Sequence, residues 1–316
     1  MVAKYAKMFT RLPLVHKLFY ILSVVVLIFV VAEHAQPVRE GMREAGKKFT
    51  LKKGPAIYDE FYVELYDDLL FSKSKVDFEI AEIIKKAALT KQSRILDLGC
   101  GCGHHIGALH ANGYAQVQGL DISPYMVRQA KQNYPEARFS EGDLLDTMLY
   151  PGDSFTHVTC FYFTLYYIQN KERFFQNCRH WLRPGGILVI HVVDPEQFDP
   201  IIPAGDPFRI VSPQSYADKR LTKTVVKFDQ FDYQANFEMM PRGVGEGIQD
   251  VNATLTETFT RKDNQTIRKN EHGFYMPPES VILALAKQAG FIVRAKIDLV
   301  ECQYAYQYLY VLEKPT

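Results

Sequence analysis

"RILDLGCGCGHH", residues 94–105, sets three glycines at every second position directly behind an acidic residue. Arg94 to Leu98 is rich in Ile and Leu and alternates, which predicts a short buried strand. The run after Gly103, "HHIGALHANGY", predicts a helix that stops near Asn112-Gly113. The glycines therefore sit on a strand-to-helix turn, where backbone approaches a ligand closely and a Cβ would clash. A dinucleotide fingerprint needs G-x-G-x-x-G. Counted from Gly99 the third glycine falls on His104, and counted from Gly101 it falls on Ile106. The spacing is instead D-x-G-x-G-x-G, with Asp97 at the end of the strand. A pyrophosphate disfavours an anion at that point, whereas a ligand carrying positive charge is stabilised by one.

Later segments extend the pattern. "VQGLDIS" predicts a second strand ending at Asp121, where a doubly wound fold places an acid to accept from ribose hydroxyls. "FSEGDLLD", "FTHVTCFYFTLYYI" and "WLRPGGILVIHVV" supply a third, fourth and fifth strand in order, the last after a helix end and a Pro-Gly-Gly turn. On these motifs the chain resembles the class I S-adenosylmethionine-dependent methyltransferases. The resemblance implies that S-adenosylmethionine is the cofactor and that Asp97, Gly99, Gly101, Gly103 and Asp121 hold it. It further implies that Ile122 and Met126 pack on the adenine, that Asp143 and the Leu144 backbone meet its amino group, and that Phe161 lies beside the cofactor.

The predicted fold class is α/β: a Rossmann-like, seven-stranded mixed sheet with helices on both faces. "FDYQANFEM" (231–239) and "VNATLTETF" (251–259) alternate with period two, and Glu257 breaks the apolar face of the second. They predict an inserted antiparallel β element within residues 194–275. "PPESVILALAKQAGF" predicts a proline-started helix, and "FIVRAKIDLV" with "QYLYVLEKP" a closing hairpin. Upstream, "YDEFYVELYDDLLFSKSKVDFEIAEIIKKAAL" predicts helix with aromatics at three- and four-residue spacing.

This layout, from residue 58 to about 312, resembles the methyltransferases that modify amines or hydroxyls of small molecules, notably the amino-sugar N,N-dimethyltransferases. That likeness implies a lid helix in "FYVELYDDL", with Tyr62 or Tyr66 at the methionine end. It also implies an acceptor-side tyrosine at Tyr167, although Tyr166 replaces the glycine that precedes it in those enzymes. Methyl transfer to a hydroxyl needs a base, and transfer to an amine needs the amine unprotonated. His272 and His191 are the candidate bases; Tyr167 and His272 are taken as the catalytic pair.

With 316 residues and 47% hydrophobic content, the chain can bury a large core plus an elaboration. A net charge of +1 leaves no overall nucleic-acid footprint, so no nucleic-acid partner is expected. The five cysteines lack C-x-x-C spacing, which points to a reducing compartment and to packing rather than metal at Cys100 and Cys102. "LFYILSVVVLIFVVA", residues 18–32, carries no charge over fifteen residues. That is roughly 22 Å of helix, which spans a bilayer once flanking residues and a snorkelling Lys17 are added.

The expected organisation is thus a transmembrane anchor over 1–33, a charged linker over 34–55 and a methyltransferase domain over 56–316. Six basic residues follow the apolar stretch and four precede it, which favours the catalytic part on the cytosolic or mitochondrial-matrix side. The expected partners are a small-molecule acceptor, a membrane and, in a second reading, a membrane complex in which the chain is a methyltransferase-like assembly subunit. A nicotinamide-dependent oxidoreductase is the third reading, disfavoured by the glycine spacing.

Overall fold

The computed structural model describes Pro13 and residues 48–200, 217–240 and 252–316. The strands of the parallel core are short and apolar because helices cover both of their faces. All four residues of β2, Ile95–Leu98, are buried, as are all six of β5, Phe155–Cys160. Among the described residues these strands belong to a seven-stranded sheet. Its order runs β11 (Ile292–Asp298), β12 (Gln307–Glu313), β6 (Leu182–Val193), β5, β2, β3 (Val117–Asp121), β4 (Arg138–Glu141). β12 is antiparallel to both neighbours, and the strands from β6 to β4 are parallel. The strand order reverses between β2 and β5, so the crevice for a ligand opens at the carboxyl ends of β2, β3 and β5.

Helices start where the sequence caps them. Asp59 accepts from the Tyr62 N–H at the start of α1, Glu60–Leu70, and Ser72 accepts from Lys75 at the start of α2, Lys73–Lys86. The single long helix expected over this region is therefore two, broken at Phe71-Ser72, because the Ser72 side chain competes for the backbone donors. α3, His104–Ala111, follows the glycine turn, and α4, Pro124–Asn133, begins with Ser123 as cap and proline in its first turn. A short α5, Thr164–Tyr167, leads into α6, Lys171–Trp181, and α7, Glu279–Gln288, precedes the final hairpin.

A second, five-stranded sheet has the order β1 (Phe49–Lys53), β10 (Ile267–Phe274), β9 (Ala253–Arg261), β8 (Phe231–Met239), β7 (Lys223–Lys227). β7 to β10 are the expected antiparallel insertion. β1 corrects the linker expected over 34–55: residues 49–53 pair in parallel with β10 and Gly54–Ile57 forms a 3-10 turn, while linker residues 34–47 lie outside the described residues, as does the apolar stretch at 18–32. No helix among the described residues is long and apolar enough to cross a membrane. The fifth strand also begins earlier than expected: β6 runs from Leu182 through the Pro-Gly-Gly segment.

The two sheets are tied near the crevice. The Tyr275 N–H donates to the Tyr166 carbonyl, and the buried Lys171 ammonium donates to the carbonyls of Ile168 and Tyr275, 2.7 Å each. These bonds hold α5 against the carboxyl end of β10.

Candidate active site

One cavity of about 830 Å³ runs from the carboxyl ends of β2 and β3 to the face of the second sheet. Its first half is built by the glycine turn. Gly99 and Gly101 have φ of +67° and +53°, the left-handed region that glycine occupies without strain. A Cβ at Gly101 would meet nothing nearer than the Tyr66 hydroxyl at 3.8 Å, so this residue leaves room that a side chain would fill. Gly103 does something else: its Cβ position is 2.9 Å from Phe139, so it serves helix packing and does not line the cavity.

Asp121 closes the turn. One carboxylate oxygen accepts from the Gly101 N–H and the other from the Ser123 N–H, each at 2.9 Å. Burial raises its pKa, and these backbone bonds work against the rise. Ile122, 46% exposed, and buried Met126 line the wall beside it. Asp143 and Leu144 line the same end, with Asp143 accepting from the Leu145 N–H at 2.9 Å.

Asp97 sits lower. It lines a separate 60 Å³ annex that shares Tyr66, Gly99 and Gly101 with the main cavity. Thr159 donates to it at 2.7 Å, and burial pushes its pKa up to about 6 despite the opposing charge interaction with His105. Phe161 lines the annex too, stacked on His105 at 3.8 Å and 6°, so it touches the cleft only at this lower end. Beneath it lies a fully buried ion pair that the sequence reading missed. Lys75 meets Glu79 at 2.5 Å, Glu79 also meets His105 at 2.8 Å, and Lys75 lies 4.1 Å over the Tyr162 ring. Burial alone would raise the Glu79 pKa, but Lys75 and His105 bring it down to about 2.

The second half of the cavity holds a hydrogen-bonded chain. The Tyr167 hydroxyl is 2.6 Å from Nδ1 of His272, and Nε2 of His272 is 2.7 Å from Glu257. Glu257 also accepts from Tyr62 at 3.1 Å, Tyr233 at 2.9 Å and Asn270 at 3.1 Å. Burial works to raise the Glu257 pKa, but hydrogen bonds from His272, Asn270 and Tyr233 outweigh it and hold the carboxyl below its ordinary value. An ionised carboxylate only accepts, so Nε2 carries a proton, and in that tautomer Nδ1 is the nitrogen left to accept from Tyr167. Burial raises the Tyr167 phenol well above its ordinary value, which keeps the proton on it at rest.

The structure thus brings together Tyr167 and His272, 105 residues apart in the chain. It divides the two lid tyrosines: Tyr66 stays at the glycine turn, while Tyr62 leaves the methionine end to bond Glu257. His191 is corrected as a base, because it does not line the cavity and burial drives its pKa down to about 3. Glu257, expected only to break an apolar strand face, is the hub of the network. Its signal was that same break, an acid on the inward side of an alternating strand. Tyr58 was also missed; its ring stands edge-on to Tyr167 and His272.

Residues 95–186 match the family described as "Methyltransferase domain". Among curated proteins the chain is 30% identical over 148 residues to a dTDP-4-amino-2,3,4,6-tetradeoxy-D-glucose N,N-dimethyltransferase of Saccharopolyspora spinosa, covering 45% of this chain and 58% of that one. It is 31% identical over 160 residues to a dTDP-3-amino-3,6-dideoxy-alpha-D-glucopyranose N,N-dimethyltransferase of Streptomyces fradiae, covering 46% and 60%. The chain therefore spans under two-thirds of the length of these relatives. A solved S-adenosylmethionine-bound amino pentose methyltransferase of Micromonospora echinaspora superposes with a TM-score of 0.55 at 21% identity, over 81% of this chain and 98% of that one. The fold is that of the S-adenosylmethionine-dependent methyltransferases. Residues 95–186, which include the glycine turn and Asp121, carry the matched segment.

Proposed function

We propose that the protein is an S-adenosylmethionine-dependent methyltransferase acting on an amine or hydroxyl of a small molecule, held at a membrane by residues 18–32. The observation that carries this reading is one cavity with the Gly99–Gly101 turn and Asp121 at one end and Tyr167–His272–Glu257 at the other. The residues suit the cofactor: Gly101 leaves an open approach, Asp121 offers a carboxylate for a ribose diol, and Asp97 a carboxylate for an ammonium group. Ile122 and Met126 present apolar surface for a base, and Asp143 an acceptor for its amino group. When bound, S-adenosylmethionine supplies an electrophilic methyl group.

The chain's own residues must then position the acceptor and take its proton. The Tyr167 oxygen, donating to His272 and hydrogen-bonded by the Tyr58 hydroxyl, keeps one lone pair to accept from an acceptor N–H or O–H. As it takes that proton it passes its own to Nδ1, and the imidazolium is stabilised by Glu257 at 2.7 Å. A non-catalytic assembly subunit would have no need of this chain of donors and acceptors.

Calorimetric titration of the purified protein with S-adenosylmethionine, S-adenosylhomocysteine and NAD tests the reading; the first two are expected to bind and NAD is not. Asp121→Ala should weaken cofactor binding by about tenfold to more than a hundredfold, the cost of losing hydrogen bonds to an ionised group. Unchanged affinity in that variant would rule the site assignment out.

The proposed orientation places the domain in the cytosol or matrix. Asn252 and Asn264 both stand in glycosylation sequons, but only Asn264 lies in an exposed turn, and Asn252 is buried with its amide on the Met276 backbone. In a eukaryotic cell Asn264 should stay unmodified. A glycosidase-sensitive shift lost in Asn264→Gln would put the domain in a lumen.

A further inference from the structure

The annex below the glycine turn has a charged floor that the proposed proton relay does not use. Asp97 and His105 both line the annex. His105, on α3, lies flat on Phe161 with ring centres 3.8 Å apart, and its Nε2 is 2.8 Å from Glu79 of α2. The other Glu79 oxygen accepts from Lys75 at 2.5 Å. The Lys75 ammonium in turn lies over the rings of Tyr162 and Tyr304, 4.1 and 5.1 Å from their centres.

Stability alone does not account for this cluster. The Lys75 and Glu79 side chains are both 0% exposed, and a buried ion pair is often no more stable than apolar residues of the same volume. Lys75 also stands in the first turn of α2, where the helix dipole disfavours a cation. Tyr162 takes φ of +52°, a left-handed conformation that strains a side chain. At that turn consecutive rings do different jobs: Phe161 meets His105, and Tyr162 meets Lys75 while its hydroxyl donates to the Leu70 carbonyl at 2.7 Å.

The outcome is visible at His105. Against burial, Lys75 and His105 keep Glu79 ionised, so it accepts from Nε2–H. In that tautomer Nδ1 is the nitrogen left to accept. Asp97 lies close enough for the two groups to feel each other's charge, and one of its oxygens takes Thr159 at 2.7 Å. A carboxylate beside an accepting ring nitrogen suits a cation with several N–H donors, which is an ammonium group. At 60 Å³ the annex is far below the roughly 300–1,000 Å³ of a whole-ligand pocket, so it takes the small polar end of a ligand.

We propose, resting on the methyltransferase reading above, that His105 joins Asp97 in binding the ammonium of the cofactor's amino-acid end, and that Lys75, Glu79 and Tyr162 are positioning residues for its ring. Glu79 fixes the tautomer and the ring plane. Lys75 compensates the buried Glu79 charge, and Tyr162 holds Lys75 in place. No bond is made or broken in this step.

The full chain should be titrated calorimetrically with four ligands that differ at this end. They are S-adenosylhomocysteine, its decarboxylated analogue, which keeps the amine, its deaminated analogue, which keeps the carboxylate, and methylthioadenosine, which has neither. His105→Phe, which keeps an aromatic ring against Phe161, should weaken both amine-bearing ligands by about tenfold or more, the cost of a hydrogen bond to a charged group, and leave the other two within about twofold. Lys75→Met with Glu79→Leu removes both charges together, so this double variant should melt no lower than the parent and show the same ligand pattern. A purely structural role would weaken all four ligands alike or none, and either result would overturn the proposal. Loss confined to the deaminated analogue would do so too, because it would put the carboxylate against His105. A double variant with the parent's affinities would strip Lys75 and Glu79 of their positioning role. If none of the four binds the parent, the methyltransferase reading falls, and this proposal with it.

Discussion

Asp97 and Glu257 are both buried carboxylates, and their surroundings drive them in opposite directions. Glu257 is ringed by donors and stays ionised; Asp97 has one hydroxyl donor, Thr159, and burial lifts it to about 6. The difference has a measurable consequence. An ammonium group placed against Asp97 stabilises its charged form and lowers its pKa on binding, so the free protein holds the extra proton. Cofactor affinity should therefore be full above pH 6 and fall as pH drops through that value. The decline is about tenfold per unit while the free site is protonated and the bound site is not. Titrations between pH 5 and 8 check this; affinity that rises on acidification would remove Asp97 from the ammonium end. For folding the sign is opposite. A carboxylate raised in the folded state disfavours folding when ionised, so Asp97's own contribution to the stability of the free protein is full below the ordinary Asp range and is lost as pH rises through about 6. Glu79 and Glu257 act with the opposite sign, since their lowered pKa values contribute stability that is lost on acidification.

At the level of elements, the glycine turn between β2 and α3 shows how alternate residues divide labour. The Gly99 Cβ position lies 2.4 Å from Thr164 on α5, whereas that of Gly101 faces the cavity. Both carry positive φ, which costs a side chain on the order of 1–2 kcal/mol. Gly99→Ala adds a collision and should destabilise by on the order of 2–4 kcal/mol in denaturant unfolding. Gly101→Ala carries only that backbone cost, so it should lose about 1–2 kcal/mol of stability yet bind cofactor at least about tenfold more weakly, because the methyl group occupies ligand space. If both lose stability equally with cofactor affinity intact, the turn is architectural only. The D-x-G-x-G-x-G spacing announced this turn; it did not announce that Gly103 belongs to packing, because that follows from where Phe139 and Tyr134 come to lie.

Across the whole molecule, residues 48–316 close on themselves as one compact unit. β1 is the part the composition disguised. "FTLKK" is short, lysine-bearing and half exposed, as edge strands are, and by composition it reads as linker. It nonetheless pairs along β10 from Ile267 to Glu271, next to His272, and Arg268 then grips Asp59 at 2.8 Å and the Ile57 carbonyl. A fragment of residues 48–316 should fold and bind cofactor like the full chain. A fragment of residues 58–316 loses β1 and bares the β10 edge, and its melting temperature should fall by roughly 5 °C or more, with aggregation. Equal melting temperatures for the two fragments would show that β1 contributes nothing to the second sheet.

What the amino-acid order determined alone is the half proposed for the cofactor: the seven-stranded sheet, the glycine turn, and the acids at 97, 121 and 143. These signals are local, since each acid sits at the end of a strand whose period and glycines are visible within a few residues. The acceptor half was legible only as separate parts, with Tyr167 and His272 marked as candidates and Glu257 as an irregularity. Their hydrogen-bonded chain joins α5 to β9 and β10 across 105 residues. Only the docking of two sheets, fixed by Lys171 and the Tyr166–Tyr275 backbone bond, brings those side chains within 2.7 Å. The proposed proton transfer depends on that contact, and no periodicity in the sequence encodes it.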